Sequence, residues 1–85
     1  MIEREILVTN RLGLHARATA RLVQLLSTYR CNVTLAAKGR EVNAKSIMGV
    51  MLLAAGPGTT IKARVSGNDE AEAMAALVSL FESGF

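Results

Sequence analysis

The 85-residue sequence has no tryptophan, one cysteine, one proline and one histidine, and aromatic residues make up only 4% of it. A core without large rings has to be aliphatic, and a hydrophobic fraction of 51% can supply one. The lone Cys31 cannot form an internal disulfide and has no partner at metal-ligand spacing, so we expect a buried thiol, a reducing compartment and no metal site. A chain of this length suits one small core, which predicts a single domain over residues 1–85.

Long apolar runs are also missing. Residues 1–5 carry charge where a signal peptide needs an apolar stretch, and no run approaches the roughly 20 apolar residues of a membrane span. We therefore expect a cytoplasmic protein that does not enter the membrane. We further expect it to be a monomer.

The net charge of +3 raises nucleic acid as a partner, but the basic residues are spread along the chain and few aromatic rings are available to stack on bases. Several basic side chains instead flank His15 and Ser46, and these are Arg11, Arg17, Arg21 and Lys45. Their distribution favours a phosphate group or an acidic protein as partner, and not nucleic acid.

Hydrophobic periodicity predicts seven elements in the order strand, helix, strand, strand, helix, strand, helix. The predicted ranges are 2–8, 16–29, 31–37, 40–43, 47–55, 60–66 and about 69–83. A Lys38-Gly39 turn joins the two consecutive strands as a hairpin, and Asp69 with Glu72 predicts a capping box at the last helix. This order suits a mixed sheet with helices on one side, and the pattern alone leaves the topology open.

The only histidine, His15, lies between a glycine turn and the predicted start of a helix. Neutral imidazole is a nucleophile near physiological pH, and the free amides at a helix N-terminus can bind phosphate. A histidine in this position is more often a simple cap or a surface residue. The pattern therefore leaves two interpretations, a helix cap or a side chain that is itself phosphorylated.

The order of residues favours the second interpretation. The segment Gly13-Leu14-His15-Ala16-Arg17 resembles the phosphorylation-site signature of HPr, the histidine phosphocarrier family of the bacterial phosphotransferase system. The segment 43–50, NAKSIMGV, is similar to that family's regulatory serine region and falls at the matching distance. The resemblance covers essentially the whole chain. It implies an α+β fold, an open-faced β-sandwich of order βαββαβα in which three helices cover one face of a four-stranded antiparallel sheet.

Phosphoryl transfer needs a nucleophile and groups that hold the phosphoryl oxygens. His15 can supply the nucleophile, and the amides of Ala16 and Arg17 with the Arg17 guanidinium can hold the oxygens. No carboxylate pair, metal cluster or nucleotide-binding loop is present, so we expect a phosphocarrier that needs no cofactor and is not a self-sufficient enzyme. The resemblance implies enzyme I, charged by phosphoenolpyruvate, as donor, EIIA-type proteins as acceptors, and Nδ1 of His15 as the modified atom.

One residue departs from the family pattern. The family commonly has proline after the motif arginine, and this chain has Ala18. Proline would stiffen the first helical turn at little cost, because its missing N–H is among the donors without an intrahelical partner. Alanine restores a donor and some freedom to that turn.

Ser46 is a favoured N-cap residue, a role worth about 1 kcal/mol to its helix. The helix that follows has more apolar residues than one buried side needs. We therefore expect Ile47, Met48 and Met51 to be exposed and to dock enzyme I together with the His15 loop. A phosphate on Ser46 would add roughly −2 charge beside them and oppose an acidic partner. The resemblance implies an HPr kinase/phosphorylase as the modifying enzyme.

Two other functions remain open at this point. One is a regulatory binding module in which phosphorylated Ser46 controls a partner and His15 is idle; the other is a basic RNA-binding domain. The intact Gly13-to-Arg17 segment favours the carrier. Nothing in the sequence separates sugar uptake from a nitrogen-related branch or a purely regulatory relay.

Overall fold

The computed structural model describes residues 1–85 and contains four strands and three helices. In chain order they are β1 (Ile2–Leu7), α1 (Ala16–Leu26), β2 (Asn32–Ala37), β3 (Arg40–Asn43), α2 (Ile47–Leu53), β4 (Thr60–Ser66) and α3 (Glu70–Ser83). The strands form one antiparallel sheet in the order β1-β4-β2-β3, and the helices pack on one face of it. The open-faced sandwich expected from the resemblance is confirmed. None of the helices has the length and apolar composition needed to cross a bilayer.

Alternating residues of the strands divide the sheet into a buried and an exposed face. In the central strand β4, Ile61, Ala63 and Val65 are fully buried, whereas Lys62 between them is exposed. Aliphatic neighbours on β1 and β2 face the same side and complete the apolar surface beneath the helices. Cys31 is buried just before β2, as predicted, and burial raises the pKa of its thiol.

The hairpin between β2 and β3 holds the end of α2. Lys38 and Gly39 both have positive φ, 54° and 78°, which is the two-residue type I′ geometry that favours a tight hairpin. From this hairpin the Lys38 Nζ donates to the Ala54 carbonyl at 3.3 Å, and Arg40 Nη1 donates to the Leu52 carbonyl at 2.9 Å. The two cations thus satisfy carbonyls that have no acceptor role inside α2 and complement the negative end of its dipole.

Two helices are shorter than their periodicity predicts. α1 ends at Leu26, short of the predicted residue 29, where Ser27 and Thr28 donate side-chain hydrogen bonds back to carbonyls of the last turn, both at 2.7 Å. Such bonds give the backbone an alternative to the helix. α2 ends at Leu53 because Ala54 takes the left-handed conformation, with φ of 52°. The predicted residue 55 lies beyond that stop.

The capping box predicted from Asp69 and Glu72 is wrong. The Asp69 side chain makes no bond to its own helix and instead accepts hydrogen bonds from two backbone amides before β2, Arg30 N at 2.8 Å and Cys31 N at 3.0 Å. The bond from the first of these amides is the largest cause holding the pKa of Asp69 below its ordinary value. Asp69 therefore ties the start of α3 to the loop after α1. Sequence spacing could not reveal a partner so far along the chain.

Candidate functional site

His15 is the N-cap residue of α1. Its backbone is extended, and its Nδ1 accepts hydrogen bonds from the amides of Arg17 at 3.2 Å and Ala18 at 3.5 Å. An imidazole nitrogen that accepts a hydrogen bond carries no proton, so these contacts assign the ring proton to Nε2. The unprotonated nitrogen and its lone pair therefore lie at the start of the helix.

The first turn of α1 offers backbone donors to an anion. The amides of Ala16, Arg17 and Ala18 have no backbone acceptor, and the first amide to find one is Thr19 N, which donates to the His15 carbonyl at 2.8 Å. No acidic residue lies in this turn. The positive end of the helix dipole and the free N–H groups act together here, an arrangement that favours binding of a phosphate.

Contacts with the chain after α2 hold the His15 loop. Gly13 has φ of +64°, and a Cβ added there would lie 2.5 Å from the Ala55 carbonyl oxygen, so no side chain fits. The next amide, Leu14 N, donates to that same carbonyl at 2.8 Å. Asn10 closes the turn by donating from Nδ2 to the Gly13 carbonyl at 2.6 Å. The position of His15 therefore depends on a backbone segment forty positions later in the sequence.

Of the four basic residues near the two motifs, two have no hydrogen-bond or ion-pair partner for their side chains and two bond backbone carbonyls. Arg11 and Arg17 are exposed, and neither side chain has an ion pair or hydrogen bond, so the Arg17 guanidinium is available to an anion at His15. Arg21 donates to the Phe85 carbonyl. Lys45 donates from Nζ to a backbone carbonyl just after α1, at 2.6 Å. These last two cations have structural partners that the sequence did not reveal.

The tethers show that α1 and α2 run antiparallel. The Leu14 amide joins the start of α1 to the segment after α2, and Lys45 joins the segment before α2 to the end of α1. His15 and Ser46 thus lie at opposite ends of this helix pair. At a rise of 1.5 Å per residue, the seven residues of α2 span about 10 Å between those ends.

Ser46 is the N-cap of α2, as predicted. Its backbone is extended, and its Oγ accepts a hydrogen bond from the amide of Gly49 at 3.1 Å. The residue is half-buried, and the helix it caps keeps Val50 and Leu53 in the core. The Ser46 Oγ thus already caps α2, and any modification of this oxygen would have to preserve or replace that hydrogen bond.

The outer face of α2 is an exposed apolar surface, which we call the α2 patch. It consists of Ile47, Met48, Met51 and Leu52. Met48 is the most exposed of them, at 74%. The exposure predicted for three of these residues is confirmed, while Leu52 and the 68% exposed Leu12 were not predicted. Leu12 did carry a signal, because it is an apolar side chain in a short loop that has no strand or helix to bury it.

The chain is similar to known proteins over its whole length. It matches the family model described as PTS HPr component phosphorylation site over residues 2–83. It is 65% identical to the phosphocarrier protein HPr of Xylella fastidiosa strain 9a5c over 85 residues, which is all of this chain and 96% of that protein. The crystal structure of an HPr from Thermoanaerobacter tengcongensis aligns with a TM-score of 0.97 at 44% identity, covering 100% of this chain and 96% of that one. A crystal structure of an HPr dimer from the same organism aligns with a TM-score of 0.78 at 43% identity, covering 98% and 95%.

The fold and these matches define a phosphocarrier, a protein that carries a phosphoryl group and is not itself an enzyme. The chain belongs to the HPr family of the phosphotransferase system.

Proposed function

We propose that this protein accepts a phosphoryl group from phospho-enzyme I on Nδ1 of His15 and passes it to EIIA-type proteins. One observation carries the proposal. Nδ1 accepts hydrogen bonds from the first turn of α1, so it is unprotonated and adjoins a set of amides without other acceptors. The proposed nucleophile, Nδ1, therefore lies next to the amides that can bind the phosphoryl group.

The transfer step follows from this geometry. The Nδ1 lone pair attacks phosphorus while the bond between phosphorus and the donor breaks, and the electron pair of that bond leaves with the donor. The ring proton stays on Nε2, so no base is needed to expose the lone pair. The Arg17 amide that bonded Nδ1 then has a phosphoryl oxygen as acceptor, and bonds to charged oxygens are stronger than bonds to a neutral ring. Onward transfer reverses these steps with a different acceptor.

Arg17 supplies the mobile charge in this proposal. Its amide contacts Nδ1 at 3.2 Å, and its guanidinium is exposed without a fixed partner. A planar guanidinium can bond two phosphoryl oxygens at once and offset charge during transfer. We therefore assign Arg17 two roles, with its backbone holding the phosphoryl group beside the Ala16 amide and its side chain steadying the group as it moves.

The test is incubation with enzyme I and phosphoenolpyruvate. The parent protein should gain one phosphate that is labile in acid and stable in base, as expected for phosphohistidine, and His15→Ala should gain none. Ser46→Ala is the matched control, because it removes the other proposed site and should leave this label intact. Full labelling of the folded His15→Ala protein would overturn the proposal.

The α2 patch and Leu12 are proposed to dock enzyme I. They are exposed apolar side chains, and Leu12 is three residues from His15. Methionine adapts to differently shaped partners, and exposed apolar patches commonly mark interaction surfaces. The unpaired cations Arg11 and Arg17 favour an acidic partner surface around the patch.

Ser46 is proposed as a regulatory phosphorylation site for an HPr kinase/phosphorylase. The Gly49 amide that now bonds Oγ could bond a phosphate oxygen, so modification need not cost the cap. The added charge would lie next to Ile47 and Met48 and disfavour their burial against an acidic partner. Phosphorylation of Ser46 should therefore weaken docking of enzyme I.

We also propose that residues 1–85 work as a single-domain cytoplasmic monomer. All the buried apolar side chains form one cluster, which supports one domain, and the free Cys31 thiol suits a reducing compartment. Because a dimer is known for a similar protein, the oligomeric state is worth measuring by sedimentation across a range of concentrations. A stable dimer at micromolar concentration would contradict this part of the proposal.

A further inference from the structure

The backbone amide of Ala18 is an underused buried donor beside His15. Ala18 is fully buried, and the only acceptor of its N–H is His15 Nδ1 at 3.5 Å. Ordinary N–H hydrogen bonds span about 2.7–3.2 Å, so this contact is long. A buried amide without a good acceptor is unfavourable. The amide would therefore gain from an acceptor that comes closer or carries charge.

Phosphorylation of His15 would supply such an acceptor. Once Nδ1 is bonded to phosphorus, its lone pair is used and the Ala18 amide loses its present contact. The phosphoryl oxygens are attached through that same nitrogen, on the side that the amides of Arg17 and Ala18 already face. Bonds from N–H groups to anionic oxygens are shorter and about twice as strong as those between neutral groups. The phosphorylated state thus satisfies this amide better than the unphosphorylated state does.

We propose that the Ala18 amide is a third backbone donor to the phosphoryl group, and that it makes phosphorylated His15 more stable than a proline at position 18 would. The inference rests on the proposed function, because it requires phosphorylation at Nδ1. Proline has no N–H, so a chain with proline here would hold the group with one donor fewer. The phosphorylated protein with Ala18 therefore has a lower free energy than one with proline at this position. Its phosphoryl transfer potential is lower by the same amount, so residue 18 partly sets that potential.

Two variants separate the lost donor from a change in stiffness. Ala18→Pro removes the N–H and stiffens the first turn of α1, a position where helices tolerate proline. Ala18→Gly keeps the N–H and loosens the same turn. If the donor matters, the glycine variant should behave like the parent. If stiffness matters, the two variants should depart from the parent in opposite directions.

The experiment is a competition for one phosphoryl group. Phosphorylated parent is mixed with an equal amount of unphosphorylated variant and a catalytic quantity of enzyme I, without phosphoenolpyruvate, and intact-mass spectrometry reads the distribution at equilibrium. The group should favour the parent over Ala18→Pro by about 3- to 10-fold, the range expected of one hydrogen bond. Parent and Ala18→Gly should share it within about twofold, because both keep the donor. Amide NMR spectra of the parent provide a second readout: phosphorylation should move the Ala18 proton strongly downfield and the Thr19 proton little, since Thr19 N bonds the His15 carbonyl.

Each outcome supports or overturns the inference. An even split between parent and folded Ala18→Pro would overturn it, and so would a glycine variant that departs from the parent as strongly as the proline variant. Should Ala18→Pro fail to fold, an unmoved Ala18 proton in the phosphorylated parent would overturn it instead. A parent protein that gains no acid-labile phosphate would refute the proposed function along with this inference. A parent that is phosphorylated, but whose phosphorylation equilibrium does not change with residue 18, would refute this inference alone.

Discussion

The starts of α1 and α2 use the same cap geometry with different chemistry. Both N-cap residues are extended, and in both a side-chain atom accepts from the first turn, His15 Nδ1 at 3.2 and 3.5 Å and Ser46 Oγ at 3.1 Å. Serine is among the best caps, whereas histidine is not among the preferred ones. The lone pair that caps α1 is also the one proposed to attack phosphorus. A weak cap costs little to give up, and this suits a residue that alternates between two bonding states.

The surroundings of the two starts differ as well. Beside His15 lie free amides and the unpaired charge of Arg17, whereas Ser46 opens a helix whose outer face is the apolar α2 patch. We therefore expect chemistry to depend on the start of α1 and recognition to depend on the start of α2. Three substitutions test that division, and a fourth tests the start of α3.

Arg17→Ala should give the largest effect. Loss of a charged group that stabilises a transition state typically lowers rates by about 100-fold or more, so transfer from enzyme I should slow by about that factor. Rapid-quench kinetics with labelled donor would measure it. Arg21→Ala is the matched control, because it removes the arginine one turn further along that bonds the Phe85 carbonyl. Equal transfer rates for the parent and Arg17→Ala would show that the Arg17 guanidinium takes no part in phosphoryl transfer.

Ser46→Asp should weaken enzyme I binding by about 5- to 150-fold, the usual range of coupling between two sites. The carboxylate keeps a capping oxygen but places a charge beside the α2 patch. Ser46→Asn is the control, since asparagine caps as well as serine and adds no charge. Titration calorimetry on both variants separates charge from cap. If the asparagine variant loses as much affinity for enzyme I as the aspartate variant, the added charge is not the cause. The loss would then come from a change at the helix cap, which contradicts the proposed regulation.

Met48→Glu should weaken the same interaction by about 5- to 30-fold, as expected when a central interface side chain is lost. Its melting temperature should stay near that of the parent, because Met48 is 74% exposed. Leu7→Glu adds the same charge to another exposed apolar residue, on the opposite side of the sheet from the helices. Equal losses for both variants would show a general effect of charge and no docking role for α2.

Asp69→Asn tests the third helix start, and its effect should be confined to stability. Bonding from the Arg30 amide lowers the pKa of Asp69 in the folded protein, so the stabilising contribution of Asp69 is complete above the ordinary carboxyl pKa of about 4 and is lost as pH falls through the lowered value. Urea unfolding should show the variant less stable than the parent at pH 7, with the gap closing in acid. Glu72→Gln is the control, because Glu72 is exposed and makes none of these bonds. A gap that persists unchanged in acid would contradict this account.

Local patterns in the sequence predicted which elements form, and long-range contacts decided how they end and join. Alternation identified β4, and the serine before an apolar run identified the cap of α2, because both signals lie within a few residues. The ends of α1 and α2 were misplaced, since the bonds from Ser27 and Thr28 and the left-handed Ala54 compete with an apolar periodicity that continues past them. The antiparallel sheet with all helices on one face was predicted from the family resemblance and not from the pattern, and the strand order β1-β4-β2-β3 is known only from the structure.

The candidate site shows the same limit. His15, Arg17 and Ser46 could be singled out because each belongs to a short motif at a helix start. The partners of Lys45 and Arg21 could not be, since a flexible cation gives no sign of which distant carbonyl it will reach. The weak second contact of Nδ1 with the Ala18 amide could not be predicted from the sequence either, although the unusual alanine pointed to that position.

The bond between Leu14 and the Ala55 carbonyl also has a consequence for how the protein is made. A growing polypeptide displays His15 before it contains Ala55, and at roughly 5–20 residues per second the delay lasts roughly 2 to 8 s. The pairing of Ile2 with Val65 closes later still, and such distant pairings are slow to form. Nascent chains, and fragments that stop before Ala55, should therefore expose the histidine without being able to carry phosphate. We therefore expect the proposed ability to accept phosphate to arise only after Ala55 has been synthesised.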